Sequence, residues 1–583
     1  MQETSSLSHI SRLRASSAMF WNIVDEIVSS KEGKLIKYPF FERLWNEIFN
    51  EKLVIFQAPT ASGKTDAILA PYIAQALEYS EWIYPHLIYV LPTRSLVHRM
   101  YFRIKETINL FSKKLKDKIV VTYDYGELRV DKPYLEGDIV VTTYDTLFYT
   151  MYGFRSRGYH RTLPLGIIAS SIIVLDEVQL LQDSYWYSLD LIPLHVANLF
   201  FLGAKVIVMG ATIPTVLINR MKESINRMKL ISKDDIVKVY GETSVRGKLK
   251  VNISDKHIIE GIKELNLEDL EKPILIVCNT ISNAVEMYKS ISRKVNNVEL
   301  LHSRLKLYVR KLREEFKDLD VLVSTQVIEA GLDYDFRTII TEISPIDSLI
   351  QRLGRGGRRK NAEAWIFYKV EEAYKVYPKE IIDKTVELLD SINLSLSVEN
   401  ENIALKLVDN VYTDRTINNL IKNVDIKVLN KVRYFLSRFL NKGIFLRKDI
   451  VDMSHYLVRL GVEIKCIVPE QDLYRKIIES DSVDKEIILK LIDKNSLSIS
   501  YDPVRKTKHI KLLTHKINGS EKYIIVVFKK KNGKSIFEVL KLTSLSDVIN
   551  YMQKRSSEAV YAIVNPDFYE YYNGYDLGVV RFW

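Results

Sequence analysis

Gln57-Ala58-Pro59-Thr60-Ala61-Ser62-Gly63-Lys64-Thr65 decides how the chain is read. The apolar run Leu53-Val54-Ile55-Phe56 leads into it and Asp66-Ala67-Ile68-Leu69-Ala70 follows, so the local order is strand, tight loop, helix. From Ala58 to Thr65 the residues fit G-x-x-x-x-G-K-S/T, with Ala58 in place of the first glycine. Backbone N–H groups of such a loop, with the positive end of the following helix, cradle phosphate. Lys64 would reach the β- and γ-phosphates of ATP, and the Thr65 hydroxyl would ligate Mg²⁺. The plain alternative is an ordinary strand–turn–helix junction, and the rest of the chain decides between them.

Working outward, the same alternation repeats. His86–Leu91, Ile119–Tyr123, Asp138–Thr143, Ser171–Leu175 and Ala204–Met209 are short apolar runs separated by helical stretches. Continuous apolar strands alternating with helices predict an α/β fold with a parallel sheet covered on both faces. A second series starts near 245, with strands over Pro273–Thr280 and Asp320–Gln326 and a helix over Ile281–Ile291, but no second phosphate loop. From about 371 the pattern turns to Lys/Glu/Leu helices, and from about 495 to β-type runs. There Tyr523–Phe528 and Ser535–Val539 flank Lys529-Lys530-Lys531-Asn532-Gly533-Lys534, a hairpin signal with a basic tip. The predicted divisions are a helical leader at 1–35, α/β domains at 36–240 and 241–370, a helical region at 371–494, and a small α+β domain at 495–583.

Composition sets limits. At 583 residues the chain exceeds a single core. The balance of 84 Lys and Arg against 73 Asp and Glu gives +11, spread along the chain, which permits nucleic-acid binding without requiring it. Two cysteines, Cys278 and Cys466, cannot build a disulfide framework, which fits a reducing, cytoplasmic setting. The first twenty residues carry Glu3, His9, Arg12 and Arg14 and no apolar core, so no secretory signal is expected. The most apolar stretch, Leu189–Met209, is interrupted by Asp190, Pro193, His195, Asn198 and Lys205, so no membrane span is expected.

The polar motifs fall at strand C-terminal ends, where open α/β sheets bind ligands. Asp176-Glu177 follows a buried strand. A Mg·ATP hydrolase needs one carboxylate for the metal, here Asp176 through its water shell, and one for the attacking water, here Glu177. Arg355 and Arg358 stand three apart among glycines, so both are expected on one helix face, where they would stabilise charge on the γ-phosphate. Gln351 would contact that phosphate or the water. Gly210-Ala211-Thr212 would link nucleotide site to nucleic-acid track. Pro92-Thr93-Arg94, Thr142-Thr143, Asn279-Thr280 and Thr325-Gln326 offer hydroxyl, amide and Arg groups that hold phosphates without reading bases, a track for a single strand. For each of these, strand-end helix capping is the plain alternative.

In this order the motifs resemble a superfamily 2 helicase of the DEAH-like kind. Ile343–Arg352, Asp176-Glu177-Val178-Gln179, Thr325–Asp333 and Tyr575-Asp576-Leu577-Gly578 resemble the CRISPR-associated helicase of type I systems. The resemblance implies two RecA-like domains, with Mg·ATP held by Lys64, Thr65, Asp176 and Glu177 on one side and Gln351, Arg355 and Arg358 on the other. It adds Gly331 and Asp333 to the nucleotide site, and implies 3′ to 5′ movement on single-stranded DNA beside a guide-RNA surveillance complex. Such helicases often carry an HD-type nuclease. None of the ten histidines here precedes an aspartate, so the nuclease is expected as a separate subunit. No glutamine stands near Tyr38–Trp45 to read adenine. The rival readings are a repair or RNA helicase, and a scaffold with a vestigial cleft.

Overall fold

The computed structural model describes residues 17–30, 37, 39–49, 53–58, 62–78, 82–115, 118–125, 135–155, 163–181, 187–227, 236–240, 247–315, 318–329, 334–358, 360–389, 401–422, 424, 426–442, 456–458, 462–501, 508–531, 534–554 and 560–580. The chain divides into two compact units. One takes Met1–Gln182, Trp186–Ser244 and Asp425–Met453; the other takes Asp183–Tyr185, Val245–Val424 and Ser454–Trp583.

The first unit is built on a seven-stranded sheet. Its strands are β1 (Leu53–Gln57), β2 (His86–Leu91), β3 (Val121–Asp124), β4 (Ile139–Thr143), β5 (Ser171–Asp176), β6 (Lys205–Gly210) and β7 (Ile236–Tyr240). They lie in the order β3-β4-β2-β5-β6-β1-β7, and every neighbouring pair is parallel. β1, β4, β5 and β6 are buried along their whole length, which is why their sequences are apolar throughout and not alternating. The order seats β6 between β1 and β5, so the segments after these three strands emerge side by side. The helix Ser17–Ser29 packs on the helix Lys64–Glu78 and buries Phe20 and Trp21. The expected leader is therefore part of this unit.

The second unit repeats the arrangement with β8 (Leu249–Ser254), β9 (Ile274–Val277), β10 (Val298–Leu301), β11 (Val321–Ser324), β12 (Thr338–Glu342) and β13 (Ala362–Phe367), all parallel, in the order β10-β11-β9-β12-β13-β8. A third sheet follows. It contains β14 (Val462–Ile467), β15 (Ser482–Asp484), β16 (Ser496–Tyr501), β17 (Thr514–Ile517), β18 (Ser520–Lys531), β19 (Lys534–Leu542) and β20 (Val560–Ile563). Its pairings are antiparallel except β14 with β20. The expected hairpin is the β18–β19 pair, closing at Lys531 opposite Lys534, while Asn532 and Gly533 lie outside the described residues.

Two boundaries need correction. The last domain does not begin at 495, because β14 pairs with β16 and β20 and so belongs to the third sheet. The region 371–494 is not one helical block either. The helix Ile426–Lys442 sits in the first unit, packed on the helix Ser188–Phe201. Amphipathic spacing says that a helix has a partner but not which one.

A two-stranded hairpin, β21 (Tyr569–Tyr572) and β22 (Tyr575–Val579), completes the core of the second sheet. Leu577 and Val580 join Ile274, Ile276, Leu300, Val321 and Val323 in one cluster. Tyr575 stacks on Tyr288 at 4.6 Å, and the Arg313 guanidinium lies 3.7 Å from the Tyr575 ring centre. The Tyr575 hydroxyl donates to Glu299 Oε2 at 2.5 Å and accepts from the Leu300 N–H at 3.0 Å.

Candidate active site

The phosphate-loop signature sits where the sequence places it, between β1 and the helix Lys64–Glu78. Gly63 has φ +80, and a Cβ there would come within 2.9 Å of Phe41 Cζ, so this position needs glycine for both its backbone and its packing. Lys64 is only 9% exposed, and its ammonium donates to the Ala58 carbonyl at 2.7 Å, tying the end of the loop back to its start. Ser62 and Thr65 are buried with it. Pro59, Thr60 and Ala61 lie outside the described residues.

β5 delivers the acidic pair. Asp176 Oδ2 accepts from the Tyr89 hydroxyl at 2.8 Å, and that hydroxyl is 3.5 Å from Thr65 Oγ1. Tyr89 thus bridges the two groups expected to hold Mg²⁺. The sequence reading counted Tyr89 as one more apolar strand residue; its place on β2, next to β5, is the missed signal. Asp176 Oδ1 is buried and has no hydrogen-bond partner among the described residues. Burial, then the neighbouring Glu177 charge, push the Asp176 carboxyl up to about 7, against the opposing pull of Lys64 and Tyr89. A carboxylate buried at such cost with an oxygen unsatisfied suits a cation, so these residues fit Mg²⁺.

Glu177 is half-buried and has φ +51, a left-handed backbone that costs about 1–2 kcal/mol for a residue with a Cβ. The Gln179 amide donates to Glu177 Oε2 and so orients it. Gln179 in turn lies against Gly210, where any Cβ would fall 2.2 Å from Gln179 Oε1. The Gly210 carbonyl accepts from the Ala58 N–H at 3.3 Å, and the Gln57 amide donates to the Ile213 carbonyl at 3.1 Å. The Gly210-Ala211-Thr212 turn is therefore in contact with both the phosphate loop and the acidic segment. Thr212 Oγ1 is buried without a partner among the described residues.

The second unit carries Gln351, Arg355 and Arg358. The expectation of two arginines on one helix face is corrected, because the helix Ile346–Leu353 ends before them with Gly354 as its C-cap. Arg355 is buried and donates to the Glu329 carbonyl, whereas Arg358 donates from Nε to the Gly354 carbonyl at 3.1 Å. Gln351 is on the helix and buried, and neither end of its amide has a hydrogen-bond partner among the described residues. Gly331 and Asp333 lie outside them.

Arg352, which the sequence reading passed over, is the centre of this region. It is 0% exposed and donates to Glu329 Oε1 (2.7 Å), Thr341 Oγ1 (3.0 Å), the Glu342 carbonyl (3.1 Å), Asn279 Oδ1 (3.1 Å) and the Tyr377 hydroxyl (2.9 Å). The Tyr412 hydroxyl donates to Asp347 on the same helix. Tyr377 caps the helix Val370–Val376 and Tyr412 follows the helix Glu401–Val411, so the ends of these helices brace the Gln351–Arg352 segment.

Burial raises the Asp347 carboxyl from 3.8 to about 6, with Glu329 adding to the rise and the Tyr412 hydrogen bond opposing it. The sign follows directly. Below pH 3.8 the group is protonated folded or unfolded and has no effect. As pH rises toward 6 the unfolded chain ionises first, so folding loses stability, and the loss stays constant above. At ~1.4 kcal/mol per tenfold change in proton affinity this reaches about 3 kcal/mol. Asp347→Asn, which still accepts from Tyr412, should raise the melting midpoint at pH 7–8 and lose that advantage below about pH 4. Parallel melting curves across that range would refute it.

The expected track residues divide. Thr93, Thr143 and Thr280 cap the helices Arg94–Phe111, Tyr144–Met151 and Ile281–Ile291. Two expected contacts are corrected: Thr142 is fully buried and donates to the Asp124 carbonyl at 2.5 Å, and the Asn279 amide is held by Arg352 and the Ile343 carbonyl. Thr325 and Pro92 are buried. Gln326, half-exposed, donates to the Asn279 carbonyl at 2.9 Å, and Arg94 is half-exposed at its helix start.

Residues 38–219 match the family described as DEAD/DEAH box helicase, and residues 271–361 match that described as CRISPR-associated nuclease/helicase Cas3, C-terminal. A CRISPR-associated helicase Cas3 from Thermoproteus tenax is 30% identical over 392 residues, covering 64% of this chain and 65% of that protein. The chain spans less than two thirds of the length of the curated Cas3 relatives it matches. Among solved structures, T. fusca Cas3 with AMPPNP shares the fold with TM-score 0.58 at 18% identity, covering 85% of this chain and 66% of that one. A chain of a CRISPR RNA-guided surveillance complex, pre-nicking, does so with TM-score 0.52 at 17% identity, covering 84% and 68%. Both families are matched in sequence order on two parallel-sheet cores, so the chain carries a DEAD/DEAH box helicase region followed by a Cas3-like C-terminal region.

Proposed function

We propose that this chain is a motor that hydrolyses Mg·ATP to move 3′ to 5′ on single-stranded DNA in CRISPR interference. One observation carries the reading. Among the described residues, Asp176 Oδ1, Thr212 Oγ1 and the Gln351 amide are buried without hydrogen-bond partners; Asp176 and Gln351 stand at positions expected for nucleotide chemistry, and Thr212 at the expected link to the nucleic-acid track. Native folds rarely leave such groups unpaired unless a ligand uses them.

In this reading Lys64 and the loop N–H groups bind the phosphates. Thr65 and Asp176 hold Mg²⁺, which when bound offsets phosphate charge. Glu177, oriented by Gln179, positions the attacking water and takes its proton. Gln351, Arg355 and Arg358 stabilise charge gathering on the γ-phosphate. The names of the relatives support the CRISPR setting, and the surveillance complex among the fold relatives supports such a complex as partner. In this reading an HD-type nuclease acts with the motor as a separate subunit.

The purified chain should turn over ATP faster with a single-stranded DNA oligonucleotide than alone. Lys64→Ala should lower the stimulated rate at least about a hundredfold with the melting midpoint unchanged. Stimulation by RNA alone would move the reading to an RNA motor. No turnover with any nucleic acid would leave a scaffold.

A further inference from the structure

The helix Ile426–Lys442, IKVLNKVRYFLSRFLNK, carries Lys427, Lys431, Arg433, Arg438 and Lys442 and no acidic residue. Its inward face is fixed. Leu429, Val432, Phe435, Leu436 and Phe439 are buried. The Tyr152 ring lies 5.5 Å from Phe435 and 4.7 Å from Phe439, and the Asn198 amide donates to the Leu436 carbonyl at 3.0 Å. Arg433 turns toward the same side and pairs with Asp190.

What remains outside is a stripe. Lys427, Lys431, Tyr434 and Arg438 follow one another at four, three and four residues, the spacing of one helix face, and all are exposed. Tyr434 is 60% exposed, with the Arg438 guanidinium 5.7 Å from its ring centre. A merely solvated face would mix signs, because like charges four apart repel by a few tenths of a kcal/mol and Glu–Lys pairs recover it. Among the described residues this face presents basic side chains and an exposed aromatic ring. Basic side chains interleaved with a stacking platform match a polyanion with flat bases.

We propose that this stripe is a contact surface for single-stranded nucleic acid, with Lys427, Lys431 and Arg438 meeting phosphates and Tyr434 stacking a base. The proposal rests on the motor reading and adds to it a surface that lies outside the ATP motifs.

The test uses the full chain and a fluorescent oligo-dT, with binding followed by anisotropy across roughly 50–200 mM salt. Substituting Lys427, Lys431 and Arg438 together by glutamine should weaken binding tenfold or more at low salt. It should also flatten the slope of log affinity against log salt by about 2, at ~0.7 per phosphate contact on a single strand. Tyr434→Ala should weaken binding by about 5- to 150-fold with the slope kept. ATP turnover without nucleic acid should stay unchanged in both. Unchanged affinity and slope in variants of a chain whose ATPase responds normally to DNA would overturn the stripe and leave the motor reading standing. Loss of affinity for a blunt duplex but not for oligo-dT would overturn it also. An unaltered chain that binds no nucleic acid would overturn both.

Discussion

Glu177→Gln lowers nucleic-acid-stimulated ATP turnover by about 10²–10⁴-fold, the usual contribution of a positioned general base. The substitution keeps the size and the hydrogen-bonding reach of the side chain and removes only its basicity and charge. The contact that ties Lys64 to the Ala58 carbonyl does not involve Glu177, so nucleotide affinity should hold within about tenfold. The residue is held at φ +51 and oriented by Gln179, an arrangement a helix cap would not require. The amide variant keeps that backbone, so strain is the same in both proteins and the comparison isolates the chemistry. Single-turnover hydrolysis and equilibrium binding of a fluorescent ATP analogue separate the two effects. Turnover within threefold of the unaltered chain would remove Glu177 from the reaction.

Arg352→Ala should destabilise the second parallel sheet by about 3–5 kcal/mol, the range for removing one partner of a buried ion pair. Five donations end at once, and the buried Glu329 carboxylate loses the ion pair that Arg352 makes to it. Thr341, Asn279 and Tyr377 lose their shared donor, so β9, β12 and the helices beyond 370 lose a common anchor. Arg352→Lys should recover only part, because an ammonium cannot reproduce a planar set of five donors. In a protein of two units a single unfolding free energy is poorly defined. Native-state hydrogen exchange on the amides of β9 and β12 reads the effect locally, and should accelerate about a hundredfold or more in Arg352→Ala. A change below about tenfold would show that the network is ornamental.

The chain made some of this plain and hid the rest for physical reasons. Strands buried on both faces must be apolar throughout, so β1, β2, β4, β5 and β6 stood out; β7, β8 and β13 are partly exposed, and their mixed sequences blended with loops. The phosphate loop and acidic pair were legible because their chemistry needs fixed residue types at close spacing. Tyr89 and Arg352 were not. Tyr89 acts through its neighbour across the sheet, and Arg352 looks like Arg355 and Arg358 in the sequence, whereas only the fold brings its guanidinium to Glu329, Thr341, Asn279 and Tyr377. The same blindness hid the attachment of Ile426–Lys442 to the first unit, since Tyr152 and Asn198 are more than two hundred residues upstream.

The β21–β22 hairpin also sets a clock. Phe367 ends the second parallel sheet, yet Leu577, which its core needs, is made about 200 residues later. At ~5–20 residues per second on the ribosome, that interval is on the order of 10–40 s. During it Ile274, Ile276 and Leu300 lack part of their apolar cover, and the chain emerging behind them is long enough to find wrong partners. Slow stretches of the message before codon 575 would lengthen that exposure, and a chaperone that binds apolar surface has its natural target there. Recovery of folded protein should therefore respond to translation speed over these codons more than to equal changes upstream.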